Sequence, residues 1–228
     1  MIRAHWYIIV IGLVMVGCNN PDSAKKLEQK SETVDQNGSD TTSKNSKTEE
    51  ALMKELQTIG KRDFRKTTWG MPKATVKLTE ADDPNSEEDS AIIYTRQVAG
   101  MDAFLGYVFA DDKLVRAKYM FHQQHSDLNE YITDHNNLKK ALEKKYGKAK
   151  KERAIWSNDL YTKIPAQWGI ALGFGYLTYI SVWSTKNTEI SLTLKGKDNK
   201  IDLWLEYRSK AMSKLEKTSS GKQQEEGR

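Results

Sequence analysis

Cysteine is almost missing from this chain: its 228 residues hold one, Cys18. That excludes an intramolecular disulfide framework and any zinc or iron–sulfur site built from several thiolates. Four prolines and fourteen glycines are too few for a collagen-like or wholly low-complexity chain. No apolar run reaches the ~20 residues that a membrane-spanning helix needs. No nucleophile–base pair or metal-ligand set stands at a recognisable spacing, so the chain reads as non-enzymatic, with no catalytic residue, metal or cofactor assigned. What remains is a chain that is 38% hydrophobic and 29% charged. It is long enough to bury a core as one domain or two small ones.

The amino terminus reads MIRAHWYIIVIGLVMVGCNN. Arg3 gives a positive head, and an apolar run from Trp6 to Gly17 follows, the length and flanks of a secretory h-region. The run ends Leu13-Val14-Met15-Val16-Gly17-Cys18, which resembles the lipobox of bacterial lipoproteins. Gly17 and Cys18 match that pattern, and Met15 stands where the family usually has Leu. The resemblance implies a signal peptide over residues 1–17 and a mature chain that starts at Cys18, lipidated on sulfur. One acyl chain holds a bilayer only marginally, at ~0.8 kcal/mol per buried CH₂; the diacylglycerol of that family, usually with a third chain, is ample. Asn19 is not the Asp that retains many such proteins at the inner membrane. In a Gram-negative cell this favours the periplasmic face of the outer membrane. Without Arg3 the net charge falls from +5 to about +4, too mild for a genome-binding protein.

Residues 18–49 are polar, with Ala24, Leu27 and Val34 as the only aliphatic side chains apart from Pro21. Such a segment cannot offset its ordering entropy and reads as a disordered tether between the lipid and a folded body. The tail 213–228 reads the same way. The body, residues 50–212, opens with a short helical stripe at Ala51, Leu52, Leu56 and Ile59. Trp69-Gly70-Met71-Pro72 then leads into a short helix carrying Val76 and Leu78. An acidic loop from Glu80 to Ser90 precedes three strands, Ala91–Val98, Asp102–Ala110 and Leu114–Phe121. Ser126 is a candidate cap for a strong helix whose apolar stripe is Leu128, Tyr131, Ile132, His135, Leu138 and Leu142, ended by Gly147. Ala154–Ser157 is a weaker strand candidate. Three further strands are expected at Leu177–Thr185, Glu189–Lys195 and Lys200–Arg208.

The order predicts an α+β protein: two tandem helix-plus-three-strand antiparallel units, about 50–121 and 122–212, forming a layered sandwich. With the Trp69-Gly70-Met71 motif, it resembles a group of bacterial lipoproteins carrying a WGM-type motif. In element order it is similar to the helix-plus-antiparallel-sheet tandem fold of β-lactamase inhibitory protein and the small lipoprotein of the outer-membrane assembly machine. That resemblance implies a protein-binding fold with no catalytic residues to carry over.

Several residue groups are candidates for a site. His122, His125 and His135 could offer imidazoles, but no carboxylate at motif spacing completes a set, and a loop pair plus a core histidine is the simpler reading. The six carboxylates between Glu80 and Asp89 lack the spacing of a calcium loop. Residues 139–153 hold seven Lys and one Arg against Glu143 and Glu152. Lys144, Lys145 and Lys148 are therefore candidates for contact with an anionic surface such as lipid, while nucleic acid does not suit an exported protein. Aromatic residues concentrate in the second half. Trp183 and Trp204, opposite in parity to their apolar neighbours, are together with Tyr179 candidates for a partner-binding surface on an outer sheet face, while a second covered face is the simpler reading. Together these readings describe a lipid-anchored, non-enzymatic envelope module of unknown molecular function that either binds a protein or is structural. The alternative is a small-ligand-binding or enzyme-like domain with residues 169–176 as a lid.

Overall fold

The computed structural model describes residues 62–218. The expected signal peptide at 1–17, Cys18, the expected tether at 18–49, the expected helical stripe at 51–59 and residues 219–228 lie outside the described residues. The elements run α1 (Lys73–Thr79), β1 (Ser86–Glu88), β2 (Ala91–Val98), β3 (Met101–Ala110), β4 (Lys113–Phe121), α2 (Asn129–Tyr146), β5 (Lys151–Trp156), a 3₁₀ turn (Pro165–Gln167), α3 (Trp168–Gly173), β6 (Leu177–Ser184), β7 (Thr188–Lys197) and β8 (Lys200–Ser209). A short helix, α4, covers 213–218. That corrects the expectation of a tail without structure from 213 onward.

All eight strands belong to one antiparallel sheet in the order β1-β2-β3-β4-β8-β7-β6-β5. Each half is a meander, and the last strands of the two meanders pair with each other from Arg116↔Arg208 to Phe121↔Leu203. The protein is α+β, as the sequence implied, but each half supplies four strands rather than three. The extra strands are the short outer ones. β1 lies inside the acidic stretch read as a loop, and β5 starts three residues before the strand expected at Ala154. Both are polar edge strands whose register comes from their neighbours rather than from apolar alternation.

Alternation in the inner strands sends one side chain of each pair into the core. Leu105, Tyr107, Ala117, Tyr119, Leu192, Leu194, Leu203, Leu205 and Tyr207 cover one face and are buried. Helix α2 lays Tyr131, His135, Leu138 and Leu142 over β7 and β8, which is the stripe read from sequence. Its start differs from that reading. The helix begins at Asn129, whose N–H donates to Asp127 Oδ1 at 2.9 Å, so Asp127 rather than Ser126 does the capping. Gly147 closes it with φ +78.

The Trp69-Gly70-Met71 motif acts as a clasp between the halves. Trp69 donates from Nε1 to Thr188 Oγ1 at 2.9 Å, at the start of β7. Gly70 takes φ +86, which a side chain would resist, and its N–H donates to Leu114 O at 2.8 Å. Met71 enters the core.

A charged knot ties the same segment to the first meander. Glu80, just after α1, has a side chain only 3% exposed. It accepts from Tyr107 Oη at 2.5 Å, from Arg96 at 2.8 Å and from Arg65 through two 3.1 Å bonds. Burial alone would raise its carboxyl pKa, but the three donors outweigh burial and hold it below the usual carboxylate range. Removing this charge leaves two guanidinium groups short of a partner. Glu80→Gln is expected to lower stability by about 2–4 kcal/mol, read from urea unfolding at neutral pH. The cost should shrink as pH falls, because the wild-type carboxylate loses its own contribution on protonation.

Candidate functional site

The sequence-derived aromatic cluster does not assemble. Trp183 and Tyr179 lie on the helix-covered face: Trp183 is 1% exposed and donates from Nε1 to Gly147 O at 2.9 Å, which ties the end of α2 to β6. Tyr179 sits under α2, its ring 5.3 Å from that of His135. Trp204 occupies the opposite face, as its parity suggested, yet only 9% of it is exposed. Lys118 Nζ and Lys195 Nζ lie 4.6 and 5.2 Å from its ring, so two aliphatic stems and two ammonium groups cover the indole. Burial pulls the Lys118 ammonium down to about 8 despite attraction from Glu206. The parity argument failed at Trp183 because Ile180 and Val182, taken as core, face outward, and the larger indole takes the buried side.

The other candidates are scattered. His125 lies between Glu130 at 2.8 Å and Asp134 at 2.7 Å, a loop histidine held by the first turns of α2. His122 stacks on Phe104, ring centroids 4.5 Å apart. His135 is 2% exposed, and burial lowers its pKa to about 4. Lys144 and Lys145 occupy the last turn of α2 and Lys148 follows Gly147, all three exposed.

Residues 169–176 are the segment read as a lid in the alternative. They form α3 and its exit, clamped from several sides. Asn129 accepts from Gly169 N at 3.0 Å and donates to Ala166 O at 3.0 Å. A Cβ on Gly196 would fall 1.9 Å from Leu172 O, so the β7–β8 turn is packed directly onto α3.

The surface signal that sequence reasoning missed is in the segment around this helix. The exposed large apolar side chains among the described residues are Ile155, Leu160, Ile164, Ile170 and Phe174, and all five fall within one stretch. Leu160 is 63% exposed and Phe174 51%. The stretch is well built beneath them. Trp156 and Trp168 meet edge to face at 6.0 Å, Trp168 donates to Thr162 O at 3.3 Å, and Tyr176 stacks against Tyr161. Its position is informative. In the first half β1 and β2 are joined by a two-residue turn at 89–90; in the second half β5 and β6 are joined by residues 157–176. Arg153, Lys163, Lys197 and Lys200 are exposed around it together with Glu152, Asp159 and Asp198, and among the described residues β5 pairs only with β6. The available signal was the clustering of Trp, Tyr, Ile and Phe in a segment with no strand or helix period.

A second feature is a cleft of about 430 Å³ at the other end of β6, lined by Arg62, Arg65, Lys145 and Lys186 together with tyrosines from both halves.

No protein-family model matches the chain, and neither does any curated protein or solved structure.

His135 makes the interior pH-sensitive. Its folded pKa lies below its unfolded value of ~6.5, so as pH falls below 6.5 the unfolded chain takes up a proton that the folded one refuses. Stability is therefore lost from pH 6.5 down toward 4 and levels off below that. The pKa of about 4 corresponds to a loss of about 3 kcal/mol. His135→Leu should remove this part of the acid sensitivity, so the stability gap between variant and wild type widens in the variant's favour as urea melts move from pH 7 to pH 4.

Proposed function

We propose that the protein is a lipid-anchored component of the bacterial cell envelope whose body binds another protein through the segment 155–174 and the adjoining free edge of β5. The observation that carries the reading is the collection of every exposed large apolar side chain of the described region in that one stretch. Isolated exposed leucines are ordinary; a group of them on a hydrogen-bonded scaffold is characteristic of an interaction surface. Such a scaffold is already ordered, so association costs less side-chain and loop entropy. The exposed cations around it favour a partner whose apolar contact is rimmed by acidic groups. The outer edge of β5, which pairs with no strand among the described residues, suits the addition of a strand from that partner.

The anchor rests on the Gly17-Cys18 lipobox, which in this reading places the body within tether reach of the outer-membrane leaflet, on its periplasmic side in a Gram-negative cell. The palindromic strand order and the helix ahead of each meander support reading the body as two diverged copies of one unit, with 157–176 as an insertion in the second. The function in this reading is recognition, with no chemistry performed.

Site-specific photo-crosslinkers at Leu160 and Phe174 in intact cells should each yield the same discrete protein adduct, and one at Lys113 should not. Leu160→Glu with Phe174→Glu should weaken the purified partner's binding by about thirtyfold, the effect of ~2 kcal/mol, with the melting temperature unchanged. Adducts to lipid alone, or none, would overturn the protein-partner reading. In parallel, an alkyne fatty acid should label the wild-type chain and leave Cys18→Ser unlabelled.

A further inference from the structure

The cleft at the far end of β6 stands apart from the segment 155–174 and from every residue used above for partner binding. It forms where four parts of the chain converge: the stretch 62–65 before α1, the C-terminal turn of α2, the paired strands β4 and β8 at Tyr119 and Tyr207, and the β6–β7 turn at 185–188. Four cationic side chains line it, Arg62, Arg65, Lys145 and Lys186, with the carboxylate of Asp63; Arg65 is already paired with Glu80, which leaves Arg62, Lys145 and Lys186 as the cations facing the cleft's one lining carboxylate.

That carboxylate is turned to structural work. Asp63 Oδ2 accepts from Trp69 N at 3.1 Å and Oδ1 from Asn187 Nδ2 at 2.9 Å. It braces the cleft wall across the two halves. Arg65 is fixed as well: Nε and Nη2 engage Glu80, and Nη1 donates to Tyr119 Oη at 3.4 Å. Lys145 lies over the ring of its neighbour Tyr146, 5.0 Å from the centroid. Arg62 and Lys186 are exposed at the mouth. One rigid guanidinium and three cations on long stems thus surround a floor of tyrosine rings and a wall of Thr185, Asn187 and Thr188. Cations gathered around a concave, partly low-dielectric space repel one another and focus a positive potential into it, which a multiply charged anion relieves. The volume falls within the ~300–1,000 Å³ of small-ligand sites. Guanidinium and ammonium groups together with hydroxyl donors suit the oxygens of a phosphate group.

We infer that this cleft is a binding site for a phosphate-bearing ligand, either a free phosphorylated molecule or the headgroup of an anionic phospholipid. The chemistry recognised is the same in both cases: a compact oxyanion carrying more negative oxygen than one cation can satisfy, seated between Arg62, Lys145 and Lys186 with Arg65 behind it.

The test is residue-resolved lysine acylation of the full chain. In one arm the chain, in detergent, is titrated with inorganic pyrophosphate; in the other it is reconstituted into phosphatidylcholine vesicles with or without phosphatidylglycerol. Occupancy should slow acylation of Lys145 and Lys186 by about tenfold at ligand concentrations near ten times Kd, with Lys113 unaffected. Protection by pyrophosphate assigns a free phosphorylated ligand; protection only by phosphatidylglycerol vesicles assigns a lipid headgroup. Arg62→Glu, in which both reporter lysines are kept, should abolish the protection at an unchanged melting temperature, and added salt should weaken it steeply. Absence of protection in both arms, or equal protection of Lys113, or protection that survives Arg62→Glu, would overturn the assignment. None of these outcomes depends on the crosslinks at Leu160 and Phe174, so the two proposals stand or fall separately.

Discussion

The pairing of β4 with β8 is the contact on which the rest of the structure depends. Each meander alone has one apolar face and two open edges, and four strands with a single helix bury little. The ladder from Arg116↔Arg208 to Phe121↔Leu203 removes one edge from each half. It also makes a continuous core layer in which Tyr119, Phe121, Leu203, Leu205 and Tyr207 meet. Trp69 reaching Thr188 and Asn187 reaching Asp63 fasten the same join from the side. The Arg116, Arg208, Glu206 and Glu216 charges close it on the other face, where α4 turns back onto the sheet.

Joining the halves in this way leaves two edge strands at the extremes, and the chain treats them differently. β1 is three residues long, acidic in part and backed by Lys73 and Lys77, which pair with Glu87. A short, charged edge resists further pairing. β5 is longer, exposed along most of its length, and leads straight into the apolar segment. Charge guards Lys151, Glu152 and Arg153, while Ile155 and the residues beyond it are open. The two otherwise similar halves therefore differ most at their outer edges.

Cations on this molecule act in two ways. Over Trp204, Lys118 and Lys195 serve as covers, their stems shielding an indole that would otherwise be an exposed apolar surface. At the far end of β6, Arg62, Arg65, Lys145 and Lys186 instead line a cleft together with tyrosines from both halves.

Much of the architecture was legible from local pattern. The inner strands, the α2 stripe and the Gly147 stop follow from alternation, helical period and the ease with which glycine adopts positive φ, all properties of neighbouring residues. β1 and β5 were not legible in full, because an edge strand with polar side chains is held by its partner's hydrogen bonds and carries no apolar rhythm of its own. Alternation likewise shows that Trp183 and Trp204 oppose their neighbours without showing which face is covered, since parity is relative and only packing against α2 breaks the tie. The basic cleft gathers Arg62, Lys145 and Lys186 from segments more than forty residues apart, and no spacing rule joins them. The sequence by itself determined the α+β class and most of the elements, because these depend on contiguous side chains. The tertiary structure alone decided which aromatics are buried, where exposed apolar surface collects and which charges share a cavity, because burial and proximity are set by contacts between distant parts of the chain.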